Sequence, residues 1–389
     1  MFKIRTYNQI ADLGLSRFRA GAYEVAPGLA EPDAFLLRSQ PLHGEAIPDS
    51  LVAVARAGAG VNNIPVDGLT RRGIVVFNTP GANANAVKEL VAAALFLSSR
   101  NILGGVNFVQ ELKGIGDAAE MARRMELEKK RFAGTEVAGK TLGVIGLGAI
   151  GSMVANMALE LGMRVAGYDP AISVEAAWRL SHRVEKVETL EALLAVSDFV
   201  TLHVPVVEQT RRLVNQDSIA RMKRGARLLN FAREEIVDVE AVIAALDAGQ
   251  LAGYVTDFPG PNLIGRPDAL LLPHIGASTA EAEENCSLMA VEQLMDFLEH
   301  GNIRNSVNFP PTHMARNGGF RITFSNENVP RVLGSVLSVL ANHDINVEDM
   351  VNKSRGEIAY NIIDVETRPG RDILDAIARA EGVIRVRTV

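Results

Sequence analysis

The sequence predicts an α/β protein: two successive strand–helix series, the second forming a doubly wound parallel sheet, then a smaller ferredoxin-like domain. Three observations carry this. Short, almost wholly apolar runs alternate with helix-like stretches, as strands buried on both faces do. A GLGAIG turn at 146–151 lies between one such run and a helix. After residue 319 the order reads βαββαβ. The 389 residues, at about 150 per domain, suggest two or three domains. With 48% apolar and 22% charged residues, the chain can fill a core in each of them, which argues against disorder.

In the first series, residues 34–38, 51–56 and 74–77 read as buried strands. A long helix follows from about 85 to 102, centred on VKELVAAALFL. Residues 117–131 are charged and helix-prone, and read as an exposed helix or a solvated connector without chemistry. The second series places strands at 141–145, 164–168, 199–203, 226–230, 253–256 and 269–272, with helices between them. A helix from 279 to about 300 comes next. The prolines of NFPPT at 308–312 and the NGG at 317–319 then suggest a linker. In the tail, strands are expected at 321–324, 358–365 and 383–389, and helices at 329–343 and 372–380.

Composition narrows the partners. Forty Lys and Arg against 46 Asp and Glu leave a net charge of −6, which offers a nucleic-acid backbone little to hold. The single cysteine, Cys286, has no partner for an intrachain disulfide, so a reducing cytoplasmic setting is expected. The first residues show no apolar core of a secretory signal, and the longest apolar stretch, 91–97, is too short to span a bilayer. No metal site is expected.

The glycine turn carries the clearest chemistry. Gly146 allows the tight turn, Gly148 lets backbone approach a pyrophosphate, and Gly151 lets the helix pack close to the strand. Ala149 and Ile150 would offer backbone N–H groups at the positive end of that helix. Asp169 closes the next strand 18 residues after Gly151, where a carboxylate takes both ribose hydroxyls and repels a 2′-phosphate. The expected cofactor is therefore NAD rather than NADP. Two further segments follow strands, where open α/β sheets bind ligands: NFAR at 230–233 and PHIGAST at 273–279. Oxidising a secondary alcohol needs a base for the hydroxyl proton, which an imidazole of ordinary pKa (roughly 6.5) can supply as His274. Arg233 can grip a neighbouring carboxylate with two prongs. His203 and His182 are read as structural.

With those segments assembled, the chain resembles the D-isomer-specific 2-hydroxyacid dehydrogenases. The resemblance rests on RAGAGVNN at 56–63, FNTP at 77–80, AGKTLGVIGLGAIG at 138–151, NFAR at 230–233 and PHIGAST at 273–279. It implies a split, flavodoxin-like substrate domain of residues 1–99 and 278–312, and an inserted Rossmann NAD-binding domain of residues 100–277. It also implies an ACT regulatory domain at 319–389. Arg233 matches the family's carboxylate-binding arginine and His274 its acid–base histidine. Phe231, Ala232 and Arg233 would line the nicotinamide side, with Asp257 also near the cofactor. Arg38, Ser39, Arg56 and Asn83 would meet the substrate, where basic groups suit a phosphate. Asn328 and Asn346 match asparagines that bind serine in some members; the alternative is that the tail only joins subunits. A homodimer or homotetramer is expected.

Three departures stand out. The family places a glutamate three residues after the phenylalanine here numbered Phe258, to orient the histidine; Pro261 holds that slot. Either Asp257 or another carboxylate substitutes, or the histidine works without a partner. Lys88 is either an exposed helix lysine or an extra cation for phosphate or catalysis. Val329-Pro-Arg331 stands where the ACT pattern has Arg-Pro-Gly, at odds with serine feedback. The implied activity is oxidation of 3-phosphoglycerate to 3-phosphohydroxypyruvate, the first step of phosphorylated serine synthesis, with L-serine as a possible effector. The alternatives are a glycerate- or lactate-type dehydrogenase and a non-catalytic NAD-sensing regulator.

Overall fold

A computed structural model describes all 389 residues. They form two compact units, one of Met1–Asn83 with Ala280–Val389, the other of Ala84–Thr279.

The first unit holds a five-stranded sheet, parallel throughout. Its strands are β1 (Phe2–Thr6), β2 (Tyr23–Ala26), β3 (Ala34–Leu37), β4 (Ala53–Arg56) and β5 (Val75–Phe77), in the order β2-β1-β3-β4-β5. Strands β3, β4 and β5 are apolar on both faces because both are covered. Phe35, Leu37, Val54 and Val76 fill one side. Leu36, Ala53, Ala55 and Phe77 fill the other, against Ala290, Leu294 and Phe297 of the Ala280–His300 helix.

The second unit is the doubly wound sheet, also parallel throughout. It runs β12-β11-β10-β9-β6-β7-β8, with β6 (Thr141–Ile145), β7 (Arg164–Tyr168), β8 (Glu185–Lys186), β9 (Phe199–Leu202), β10 (Ala226–Asn230), β11 (Leu251–Thr256) and β12 (Ala269–Leu271). The winding reverses between β6 and β9, and ligands of such sheets bind at that reversal, beyond the carboxyl ends of the strands. The Ala84–Ser99 helix belongs to this unit, not to the first as residues 1–99 had implied. Its stripe of Val87, Val91, Ala94 and Leu95 packs with Val154, Ala158 and Leu229. The Ala118–Glu128 helix buries no residue and is tied along its surface by Glu120 with Arg123 and Arg124. No single helix is long and apolar enough to cross a membrane.

The tail forms an antiparallel sheet, ordered β14-β15-β13-β16, from β13 (Phe320–Glu327), β14 (Val347–Arg355), β15 (Ile358–Val365) and β16 (Val383–Thr388). Helices Val332–Asn342 and Arg371–Ala378 cover one face through Ile322, Phe324, Val336 and Ile377. The other face is also buried, so the tail packs within the first unit while keeping its own sheet and core. Tyr360 and Ile362 share a core with Phe297 and Phe309. The expected linker is packed: Phe309 is fully buried and Thr312 bridges Ile303.

An ion pair sits at the heart of this contact. Arg321 grips Asp364 with Nε and Nη2 at 2.6 and 2.7 Å, both side chains buried. Its other three N–H bonds go to the carbonyls of His300, Met314 and Ala315, so all five donors are used. Arg387 lies 4.1 Å over the Phe297 ring, and Tyr360 donates to the carbonyl of Gly301.

Candidate active site

In the second unit, β6 is buried along its whole length and delivers the glycine turn to the sheet's edge. Gly146 has φ of +88°, and a Cβ there would stand 2.6 Å from the carbonyl oxygen of His203. A Cβ on Gly151 would lie 1.8 Å from the carbonyl oxygen of Gly146, so only glycine lets the helix start this close. Gly148 differs: a Cβ there meets nothing within 4 Å. That open side, beside the unpaired N–H groups at the start of the Ala149–Glu160 helix, is the room a dinucleotide pyrophosphate needs. Asp169 ends β7 and accepts from Leu147 N at 2.8 Å and Ala171 N at 2.9 Å, which ties the turn to the neighbouring strand. Each carboxylate oxygen keeps a lone pair for a ribose hydroxyl. The residues therefore fit NAD.

His203 sits beneath this turn. Its Nε2 bonds Thr201 Oγ1 at 2.9 Å, and its buried Nδ1 has no partner. Burial lowers its pKa to about 3, so the ring is neutral. An unfolded imidazole binds its proton near pH 6.5 (roughly), well before the folded one does. Stability should therefore fall as pH drops from about 6.5 towards 3. Between pH 6.5 and 5, above the carboxylate range, the unfolding midpoint of His203→Asn should lose much of this slope. A slope equal to that of the parent would assign it elsewhere.

Arg233 and His274 lie beyond β10 and β12. Fully buried Asn230 shapes the first turn: its Oδ1 accepts from Ala232 N, and its Nδ2 donates to the Arg233 carbonyl at 2.8 Å. Phe231 and Ala232 are buried. Arg233 donates to the Ala232 carbonyl, and no carboxylate comes within ion-pair distance of it. Asp257, nearly buried at the end of β11, accepts from Ile275 N at 2.8 Å and Gly276 N at 2.7 Å. These bonds hold the loop in which His274 takes the left-handed conformation, φ +55°. The imidazole is exposed, makes no hydrogen bond, and packs against the Phe258 ring, centroids 4.9 Å apart.

Asp257 is thus a backbone clamp and makes no hydrogen bond to the His274 ring. Pro261 opens a short helical turn whose Leu263 fills the core. No carboxylate of this unit bonds the His274 ring. Lys88 does not join Arg233 or His274 either. Its Nζ donates to Asn85 Oδ1 at 2.6 Å, at the edge of a pocket of about 430 Å³ with Met153, Asn156, Glu160 and Arg183.

The first unit carries the expected arginines at matching strand ends. Leu37 and Arg56 are register partners, and Arg38 follows Leu37. Arg56 Nε donates to the Arg38 carbonyl at 2.8 Å, while Asn8 Oδ1 holds the N–H of Ser39 and Gln40. Arg38 is ion-paired with Glu283 at 2.6 Å, a partner the sequence did not announce. Cys286 is buried nearby among Thr79, Arg38 and Arg56, and burial pushes its thiol pKa up, as suits a structural residue. Three buried polar atoms have no partner here: Asn63 Oδ1, Thr79 Oγ1 and Asn83 Oδ1. Such orphans collect where a ligand completes the structure.

Comparison with known proteins decides the family. Residues 107–276 match the NAD-binding domain of the D-isomer-specific 2-hydroxyacid dehydrogenases. A D-3-phosphoglycerate dehydrogenase of Haemophilus influenzae is 33% identical over 89% of this chain and 82% of its own length. The chain belongs to the D-isomer-specific 2-hydroxyacid dehydrogenases. A D-3-phosphoglycerate dehydrogenase of Synechocystis is 35% identical over 80% of this chain, which spans 56% of that relative. The NAD+-bound 3-phosphoglycerate dehydrogenase of Entamoeba histolytica superposes with a TM-score of 0.60 at 26% identity, covering 79% of this chain and 98% of that one.

In the tail, the two asparagines do not meet. Asn328 Nδ2 donates to the carbonyl of Gly356, at one end of β15. The carbonyl of Asn346 accepts from Glu366 N, at the other end. The strand between spans roughly 23 Å at 3.3 Å per residue.

Proposed function

We propose that this chain oxidises 3-phosphoglycerate at C2, giving 3-phosphohydroxypyruvate. The observation that carries the reading is Arg233 without a carboxylate partner and His274 held in a left-handed turn by Asp257, both just past strand ends of the sheet that bears the glycine turn. Arg233 binds the substrate carboxylate with two parallel hydrogen bonds and draws electron density from the adjacent carbon. His274 takes the hydroxyl proton as the carbonyl forms. Bound NAD supplies the acceptor for the hydride that leaves C2. The Ala149 and Ile150 N–H groups hold its pyrophosphate and Asp169 its ribose. Arg38 and Arg56 take the phosphate of the substrate.

The tail supports a second assignment, an ACT-type module. With Asn328 and Asn346 at opposite ends of the sheet, an L-serine site using both needs two copies of the chain, which fits a homodimer or homotetramer. The deciding experiment is NADH formation from 3-phosphoglycerate at alkaline pH with the product trapped, beside glycerate and lactate. We expect turnover with the phosphorylated acid. Turnover only of glycerate or lactate would reassign the substrate, and NADH binding without any turnover would make the chain a sensor.

A further inference from the structure

Arg56 donates through Nε to the Arg38 carbonyl, and Arg38 in turn spends a guanidinium N–H on the Glu283 carboxylate. Glu283 stands in the first turn of the Ala280–His300 helix, where the helix's partial positive charge favours an anion. Its side chain is 43% exposed and that of Arg38 40%, so the pair can open into water at modest cost. Orphaned polar atoms of Asn63, Thr79 and Asn83 lie on the loops after β4 and β5 of the same unit.

We propose that Glu283 is an internal competitor for the substrate phosphate: its carboxylate occupies Arg38 until a phosphate displaces it. This rests on the assignment of Arg38 to the phosphate of 3-phosphoglycerate. A phosphate monoester brings close to two negative charges and three acceptor oxygens, against one charge on a carboxylate, so it wins the exchange. The uncharged tail of glycerate or lactate does not, and leaves the pair closed. Glu283 therefore sets the affinity for phosphorylated substrate and leaves the chemical step alone.

The test is Glu283→Gln, which keeps an acceptor for Arg38 and removes the charge. Glu281→Gln, two residues earlier in the same helix and outside the ion pair, controls for net charge. We expect the KM for 3-phosphoglycerate to fall roughly three- to tenfold with kcat unchanged. Kinetics with glycerate should not move. Calorimetric affinity for inorganic phosphate should rise by the same factor, and Glu281→Gln should do neither. An unchanged or higher KM would overturn the proposal, because Glu283 would then be a support for Arg38. Equal gains for glycerate, or equal gains in Glu281→Gln, would overturn it too. Absence of turnover in the parent, with phosphate affinity still rising in Glu283→Gln, would sink the functional reading and leave this one standing.

Discussion

Replacing His274 with alanine or asparagine is expected to lower kcat for NADH formation by roughly 10²–10⁴-fold, the usual worth of a positioned general base. NADH affinity should hold, because the imidazole is exposed and makes no hydrogen bond in the protein. The two variants divide the effect. At φ +55° an alanine carries backbone strain of roughly 1 kcal/mol, whereas asparagine tolerates that conformation. Asparagine should therefore preserve the loop held by Asp257 and still lose the chemistry. Because the ring is exposed, added imidazole should restore part of the rate of the alanine variant. A loss below tenfold in both variants would remove His274 from the reaction.

Breaking the buried pair in the tail should have the largest effect on stability. Asp364→Ala leaves the Arg321 guanidinium buried with three carbonyl contacts and no counter-charge, a change that costs about 3–5 kcal/mol. In many proteins such a pair exchanges for apolar residues at little cost. Here the double variant Arg321→Met, Asp364→Leu should remain well below the parent. It strips the carbonyls of His300, Met314 and Ala315 of their donor, and a buried acceptor left bare is destabilising by about 1–3 kcal/mol. Urea unfolding of the three proteins measures both numbers. A double variant as stable as the parent would mean that water satisfies those carbonyls.

The same contact marks the limit of what the sequence disclosed. The doubly wound sheet, the glycine turn and Asp169 were legible because each rests on a local pattern: an apolar run, a glycine spacing, an acid at the end of the next strand. Strands β1 and β2 were missed, since FKIRT alternates charge with apolar residues and YEVA is short. Strand β14 is an exposed edge and shows no apolar period. The 84–99 helix was recognised but assigned to the wrong unit, because an apolar stripe does not name the surface it will meet. The prolines at 310 and 311 read as a linker, although Phe309 beside them fills the core. Arg321 and Asp364 are 43 residues apart, and the Asp257 clamp acts on backbone N–H groups 18 and 19 residues away. Pairings of that range have no local signature.

The division of the chain at 83/84 and 279/280 has a consequence for its birth on the ribosome. The second unit is one continuous stretch and can fold as soon as it emerges. The first cannot, because Ala53, Ala55 and Phe77 await the Ala280–His300 helix. At about 5–20 residues per second, the opening strands wait roughly 10–40 s for their cover. During that interval the nascent chain presents an apolar sheet face to its surroundings, and chaperones that bind such surfaces have their longest opportunity there.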